Sequence, residues 1–114
     1  MSPILYIVTA DNCGACIKFK GTYLQKTKAD LSKIRGLIVK EVNIARIGDP
    51  LPNSMPRELN HFVKWYPTFI LDDESSGEVC VFNAEEHNGN IVHMNSNRYN
   101  MDNGGIVQWV KDSM

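Results

Sequence analysis

The chain has 114 residues, of which 43% are hydrophobic and 22% are charged, and its formal net charge is −1. This profile is typical of an ordinary soluble globular protein, and residues 1–114 are predicted to form a single domain. Because there is no excess of basic residues, neither nucleic acid nor an anionic membrane is an expected partner. The apolar run near the N-terminus lacks a basic flank and fits a strand better than a signal peptide or membrane span, which predicts a cytoplasmic protein.

The spacing of apolar residues predicts seven elements in the order β-α-β-α-β-β-α. They are a strand at 4–9, a helix from 15 to about 34 that Gly36 ends, a strand at 37–44, a short helix at about 57–64, strands in "YPTFILDD" and "EVCVFN", and a last helix in "GGIVQWVKDSM". We expect an α/β fold with a central mixed four-stranded sheet flanked by helices. The Asn-rich stretch 87–103 is predicted to be a surface loop, in which "IVHM" is a candidate for a short fifth strand.

Two cysteines in "CGAC", Cys13 and Cys16, fall between the first predicted strand and the first predicted helix. A helix N-terminus has unpaired N–H groups and a partial positive charge, and both stabilise a thiolate. We therefore expect Cys13 to be the exposed nucleophile and Cys16 to resolve the mixed disulfide that Cys13 forms. Gly14 permits close approach of a substrate backbone, and the small Ala15 leaves the sulfurs accessible.

The alternative use of this cysteine pair is as half of a zinc site. Tetrahedral zinc needs four ligands, usually in paired motifs, and Cys80, His61, His87 and His93 do not have such spacing. No metal and no organic cofactor are therefore expected. Cys80 lies in the apolar run "VCVF" and is predicted to be a buried inert thiol, with a regulatory or dimer-forming thiol as the alternative.

The chain resembles the thioredoxin superfamily in "CGAC", in "YPT" some fifty residues later and in "GEV" at the next strand. The segments "EVNI…YPTFIL…GEV" are especially similar to thioredoxins and protein disulfide isomerase domains, and the resemblance covers residues 4 to about 83. It implies a thioredoxin fold and dithiol–disulfide exchange, with Cys13 as nucleophile and Cys16 as resolver. It also implies a cis-proline at Pro67, beside the dithiol, that prevents the cysteine pair from capturing a metal.

The resemblance further implies how a substrate is held. The main chain of Tyr66 is expected to pair with an extended substrate segment, as in strand addition. The expected substrate-binding residues are Gly14, Ala15, Tyr66, Pro67 and Thr68. The expected partners are protein disulfides or dithiols, with a reductase or glutathione for regeneration, and the protein is expected to act in cell redox homeostasis as a monomer.

The sequence departs from the thioredoxin pattern at several positions. Thioredoxins carry WCGPC, whereas Asn12 and Ala15 replace the tryptophan and the proline here. Ile7 stands where thioredoxins have a buried acid, and Glu41 is a candidate substitute for that acid. Because alanine relaxes the restriction that proline places on the loop, we expect a couple somewhat more oxidising than that of a CGPC thioredoxin.

Two other functions remain open from the sequence. The first is a glutaredoxin-like, glutathione-dependent enzyme, because the chain begins directly at the active-site strand as glutaredoxins do. Its glutathione pocket needs a basic side chain, for which Lys18 is the clear candidate. The second is a non-catalytic binding module with a thioredoxin fold, in which the proline-rich loop 48–56 and the stretch 84–103 contact a partner.

Overall fold

The computed structural model describes residues 2–73, 77–87, 90–93 and 98–114. The strands are β1 (Ile4–Ala10), β2 (Ile38–Ile44), β3 (Thr68–Asp73), β4 (Glu78–Val81), β5 (Ala84–His87) and β6 (Asn90–His93). The helices are α1 (Gly14–Thr22), α2 (Leu24–Leu31) and α3 (Asn103–Ser113), with a 3-10 helix at Arg57–Phe62 between β2 and β3.

Four strands form a mixed sheet in the order β2-β1-β3-β4. β1 pairs with β2 in parallel, from Ile4 opposite Ile38 to Ala10 opposite Ile44. β3 is antiparallel to both β1 and β4, so β3 and β4 form the expected hairpin. The prediction of an α/β fold with a mixed four-stranded sheet is confirmed. Because β1 is an inner strand of the sheet, the CGAC segment that follows its carboxyl end lies near the middle of the sheet's width.

The side chains of β1 alternate between two apolar layers, as the pleat of a strand requires. Leu5 and Ile7 pack on the layer that contains all three α-helices. Tyr6 and Val8 pack on the opposite layer, which is covered by Met55 and the 3-10 helix. Burial on both faces explains why the sequence of β1 is almost continuously apolar.

Aromatic rings connect α1 to α3 through the sheet. Phe19 of α1 meets Phe69 of β3 at 5.2 Å between ring centroids, Phe69 meets Phe82 at 5.3 Å, and Phe82 meets Trp109 of α3 at 5.4 Å. All three pairs are edge-to-face, an arrangement that the ring quadrupoles favour. This packing fixes α1, and therefore the CGAC segment at its start, relative to β3.

The single helix predicted from 15 to about 34 is wrong, because the chain forms α1 and α2 with a break at Tyr23. Tyr23 has φ −121° and ψ −24°, outside the helical range. Its N–H still donates to the Phe19 carbonyl at 2.8 Å, so the break bends the helical path without ending it. Gly21 and Thr22, which are poor helix formers, explain the position of the break.

The second helical region and the loop after β4 also differ from the prediction. The short helix predicted at about 57–64 is a 3-10 helix that ends at Phe62. "IVHM" does not add a fifth strand to the central sheet; β6 instead pairs with β5 in a separate antiparallel sheet. Residues 88–89 and 94–97 of the predicted loop lie outside the described residues. Within the described part of the chain, no helix has the length and apolar character needed to cross a membrane.

Candidate dithiol site

The CGAC segment turns directly from the end of β1 into α1. The Asp11 N–H donates to the Ile44 carbonyl at 2.9 Å, and the Cys13 N–H donates to the Ala10 carbonyl at 3.2 Å. Cys13 has extended backbone angles, φ −99° and ψ 116°, and is the N-cap of α1. Its Sγ accepts a hydrogen bond from the Cys16 N–H at 3.2 Å. The sulfur therefore occupies the position of an N-capping oxygen and satisfies one of the unpaired N–H groups of the first turn.

Both cysteines are free thiols and both are buried. Cys13 is 7% exposed and Cys16 is 0% exposed, so the prediction that Cys13 is exposed is wrong, although it is the more accessible of the two. The neighbouring Gly14 and Ala15 are exposed. The two thiols form a small apolar cluster with Ala10 and Ile44, against which the partly buried Leu51 and Tyr66 pack. Leu51 brings the proline-rich loop 48–56 to the dithiol.

The segment before β3 lies next to Cys13. The peptide bond between Tyr66 and Pro67 is cis, as the resemblance implies. The Cys13 thiol donates to the Tyr66 carbonyl over 3.6 Å. Pro67 and Thr68 are buried, and the Thr68 hydroxyl donates to the Trp65 carbonyl. The structure thus brings Tyr66 to the dithiol, whereas the Thr68 side chain is directed inward.

The environment of Cys16 keeps this residue in the thiol form. Burial is the main cause that raises its pKa to about 11, and the hydrogen bond and charge of Cys13 raise it further. A backbone hydrogen bond with Ala10 and the charge of Lys20 act in the opposite direction. The pKa of Tyr66 is also raised, by burial first and then by Cys16 and Asp49. At neutral pH the Cys16 thiol and the neighbouring Tyr66 phenol therefore both carry their protons.

Glu41, the candidate substitute for the buried acid of thioredoxins, does not lie at the dithiol. Ile7 is buried in the apolar layer under the helices. Glu41 points to the surface, where its Oε2 accepts from Lys28 Nζ at 2.8 Å and its side chain is 43% exposed. The carboxylate of Glu41 is therefore engaged with α2 rather than with the dithiol.

Sequence reasoning missed a polar cluster at the carboxyl ends of β1 and β2. Asn43 Oδ1 accepts from Thr9 Oγ1 and from Lys20 Nζ, each at 2.7 Å. Asn43 Nδ2 donates to Asp11 Oδ1 at 2.9 Å, and this carboxylate oxygen lies 3.9 Å from Lys20 Nζ. The cluster joins residues from three separate segments, whereas its Lys20 lies four residues after Cys16 on one helix, a spacing that places the two residues on the same face.

Two shallow cavities flank the dithiol and share Met101 in their walls. One, of about 190 Å³, is formed by Pro67 and the apolar residues around it. The other, of about 290 Å³, lies along α1 and is lined in part by Ala15 and Lys18. Asn12, which stands in place of the family's tryptophan, accepts a hydrogen bond from the Ile47 N–H at 2.9 Å.

Cys80 lies on β4 and is half-buried rather than fully buried as predicted. It lines a cavity of about 350 Å³ together with Ser113 of α3, and no residue of the CGAC segment lines that cavity. Burial and the charge of Glu78 raise the pKa of the Cys80 thiol. The structure therefore places the third cysteine apart from the other two.

The described side chains of His, Cys, Asp and Glu form no group of three that could hold a metal ion. A scan against models of protein families finds no match, and a search of curated proteins finds no similar sequence.

Proposed function

We propose that this protein is a thiol–disulfide oxidoreductase with a thioredoxin fold. The observation that supports this most strongly is the position of the Cys13 sulfur. It caps α1, accepts the Cys16 N–H at 3.2 Å and lies 3.6 Å from the carbonyl that precedes a cis-proline. A nucleophilic thiolate, a second thiol one turn away and an adjacent backbone for substrate pairing are the three parts that dithiol exchange requires.

The first half of the reaction uses Cys13. The reacting species is its thiolate, whose Sγ accepts the Cys16 N–H at the N-terminus of α1. It attacks one sulfur of a substrate disulfide, so that the substrate S–S bond breaks and one substrate thiolate leaves and takes up a proton. Cys16 does not compete in this step, because burial raises its pKa to about 11 and keeps it as a thiol.

The second half uses Cys16. It loses its proton to solvent and attacks Cys13 Sγ, the mixed disulfide breaks, and the second substrate thiolate leaves. The protein is then oxidised with a Cys13–Cys16 disulfide, and the substrate has gained two electrons. A reductase or glutathione reverses the change, so the cycle needs no metal or organic cofactor.

Substrate contact is assigned to the surface around Cys13. Gly14 and Ala15 are exposed on one side of the sulfur, and the backbone of Tyr66 lies on the other. The Tyr66 carbonyl, which accepts from the Cys13 thiol, becomes available when this sulfur forms a bond to substrate. An extended segment of a protein disulfide is the substrate that suits a backbone acceptor at this position, and the protein acts on it in the cytoplasm as a monomer.

A glutaredoxin-like activity is the second candidate, and one observation favours it. Lys18 lines the 290 Å³ cavity next to Ala15, close to the dithiol turn. A cation in such a cavity suits a carboxylate of glutathione. The two candidate activities differ in the partner that Cys13 binds when Cys16 is replaced: a protein thiol for the oxidoreductase and glutathione for the glutaredoxin-like enzyme.

The test is a redox titration of a Cys80→Ser variant in glutathione buffers of graded ratio, with thiol trapping and mass mapping. We expect a reversible two-electron transition to a Cys13–Cys16 disulfide, with a midpoint more oxidising than about −270 mV. A Cys16→Ser variant, also lacking Cys80, reports the second candidate: a glutathione adduct that forms on Cys13 and is rapidly cleaved by added glutathione favours the glutaredoxin-like activity. If no disulfide forms at any ratio, the oxidoreductase proposal is wrong and a binding module is favoured.

A further inference from the structure

Lys20 lies one helical turn after Cys16 on α1, so both side chains project from the same face of the helix. Its ammonium group is bound by side chains at the ends of β1 and β2. The Nζ donates to Asn43 Oδ1 at 2.7 Å and lies 3.9 Å from Asp11 Oδ1, with the side chain 34% exposed. The cation is thus held against the ends of β1 and β2.

The anchor that holds this cation is itself fixed. Asn43 Oδ1 also accepts from the Thr9 hydroxyl, and Thr9 is only 3% exposed. The Asn43 amide nitrogen donates to Asp11. Because two partners besides Lys20, Thr9 and Asp11, orient the Asn43 side chain, its oxygen offers a fixed acceptor to Lys20. This acceptor lies on β2 next to Ile44, which belongs to the same buried apolar cluster as Cys16.

Within the described part of the chain, the groups that act on the ionisation of Cys16 include Cys13 and Lys20. Tyr66, in the segment before β3, is a neutral phenol that interacts with Cys16 and with Asp49. Asp11, at the end of β1, partly neutralises Lys20. The charge of Lys20 lowers the pKa of Cys16, against the larger effect of burial.

We propose that Lys20 promotes the resolving half of the exchange by stabilising the thiolate of Cys16, with Asn43 holding the ammonium group in place. This rests on the proposed function, and Lys20 acts on the reaction only through Cys16. In the step concerned, the Cys16 thiol loses its proton to solvent, its thiolate bonds to Cys13 Sγ, the mixed disulfide breaks, and the substrate leaves as a thiolate. No acid or base beyond solvent is required, which suits a site where Ile7 and the surface-bound Glu41 supply none.

The first test isolates the ionisation of Cys16. In a Cys13→Ser, Cys80→Ser background Cys16 is the only cysteine, and its thiolate is followed by ultraviolet absorbance and by the alkylation rate across pH. Lys20→Met is expected to lower the thiolate fraction at a fixed pH by about threefold to tenfold. This corresponds to a change of about half a unit to one unit in pKa, the effect expected of a unit charge one helical turn away. Lys20→Arg keeps the charge and is expected to restore most of the difference.

Two further variants separate electrostatics from general disturbance of the site. Asp11→Asn removes the negative charge beside Lys20 while keeping the shape of the side chain, and we expect it to raise the thiolate fraction, opposite in sign to Lys20→Met. Lys26→Met removes an exposed cation from α2 and is the matched control, expected to leave the ionisation of Cys16 unchanged. A general loss of packing would not change the thiolate fraction of Cys16 in opposite directions in Lys20→Met and Asp11→Asn.

The kinetic test uses the Cys80→Ser protein with both active-site cysteines. A mixed disulfide between Cys13 and a chromogenic thiol is formed by rapid mixing, and its collapse by Cys16 is timed. Lys20→Met is expected to slow the collapse by the same factor as it lowers the thiolate fraction, with the rate recovered at higher pH. An unchanged ionisation of Cys16 in Lys20→Met overturns the inference, and so does a slower collapse that pH does not restore. If Cys16 responds to Lys20 but no disulfide ever forms, the oxidoreductase proposal fails instead.

Discussion

Cys13 has two separable roles in this structure, as a proposed nucleophile and as the N-cap of α1. Its sulfur accepts the Cys16 N–H at 3.2 Å, and the residue is 7% exposed. Replacing it with alanine removes both the thiol and the cap. Replacing it with serine removes the thiol but supplies a hydroxyl, which is among the best N-capping groups. The two variants should therefore be equally inactive in disulfide exchange but differ in stability.

The structure gives the size of this difference. Loss of an N-cap costs about 0.5–2 kcal/mol. The Cys16 N–H is buried under the cap, so leaving it without an acceptor places Cys13→Ala above the low end of that range, at about 1–2 kcal/mol. Cys13→Ser should cost less than about 0.5 kcal/mol. For a domain of this size, a loss of 1 kcal/mol lowers the Tm by about 4 °C.

The assay is urea denaturation of both variants under reducing conditions, so that no disulfide contributes, with exchange activity measured in parallel. Cys80→Ala serves as a control, because Cys80 is half-buried on β4 and caps no helix. If Cys13→Ser unfolds as easily as Cys13→Ala, the capping argument is refuted. If either variant retains exchange activity, Cys13 is not the nucleophile.

Three other predictions follow from the described residues. Gly105→Ala should destabilise the protein by about 1–3 kcal/mol in urea unfolding, because the added Cβ would overlap the backbone carbonyl of Asn100. Gly104→Ala is the control and should be neutral or stabilising, because its added Cβ would lie 3.6 Å from the nearest atom. Equal effects of the two substitutions would contradict the packing argument. Asn83→Ala should lower the free energy of unfolding by about 2–4 kcal/mol. The buried Asn83 side chain accepts from the Tyr99 N–H at 3.0 Å and donates to the Tyr99 carbonyl at 2.8 Å, and the residue has φ +52°, which alanine tolerates poorly. An unchanged Tm would refute this prediction. The pKa of the Cys16 thiol is 9.0 in the unfolded chain and about 11 in the folded protein. Between these two pH values the unfolded state binds fewer protons than the folded state, so a rising pH favours unfolding. The reduced protein should therefore lose stability as the pH rises through this window, and Cys16→Ser should flatten the loss measured by urea midpoints.

The sequence was sufficient for the features that depend on local pattern. An almost continuous apolar run predicts β1, because a strand buried on both faces must be apolar at every position. The position of "CGAC" after the first strand predicts a thiol at the start of a helix and a second one turn later, and in the structure Cys13 precedes α1 and Cys16 lies in its first turn. A strand–helix–strand order followed by two close strands predicts the mixed sheet in the same way.

The features that the sequence did not predict depend on contacts between distant segments. The "AEEH" segment of β5 has no strand signal of its own, and it becomes a strand only by pairing with β6. The burial of Cys13 arises because Leu51 and Tyr66, far along the chain, pack over it. The link between Lys20 and Asn43 joins α1 to β2 across 23 residues.

The sequence by itself thus determined which cysteines are the candidates for thiol chemistry and which elements hold them, because helix capping and strand burial are decided within a few residues. Tertiary structure alone decided the environment of Cys16. The pKa of Cys16 depends on how completely it is removed from water and on which charges are brought near it. The burial of Cys16 and the charges near it are both set by the packing of β1, β2, α1 and the segment before β3. Electrostatic interactions weaken with distance in space, not with separation along the chain.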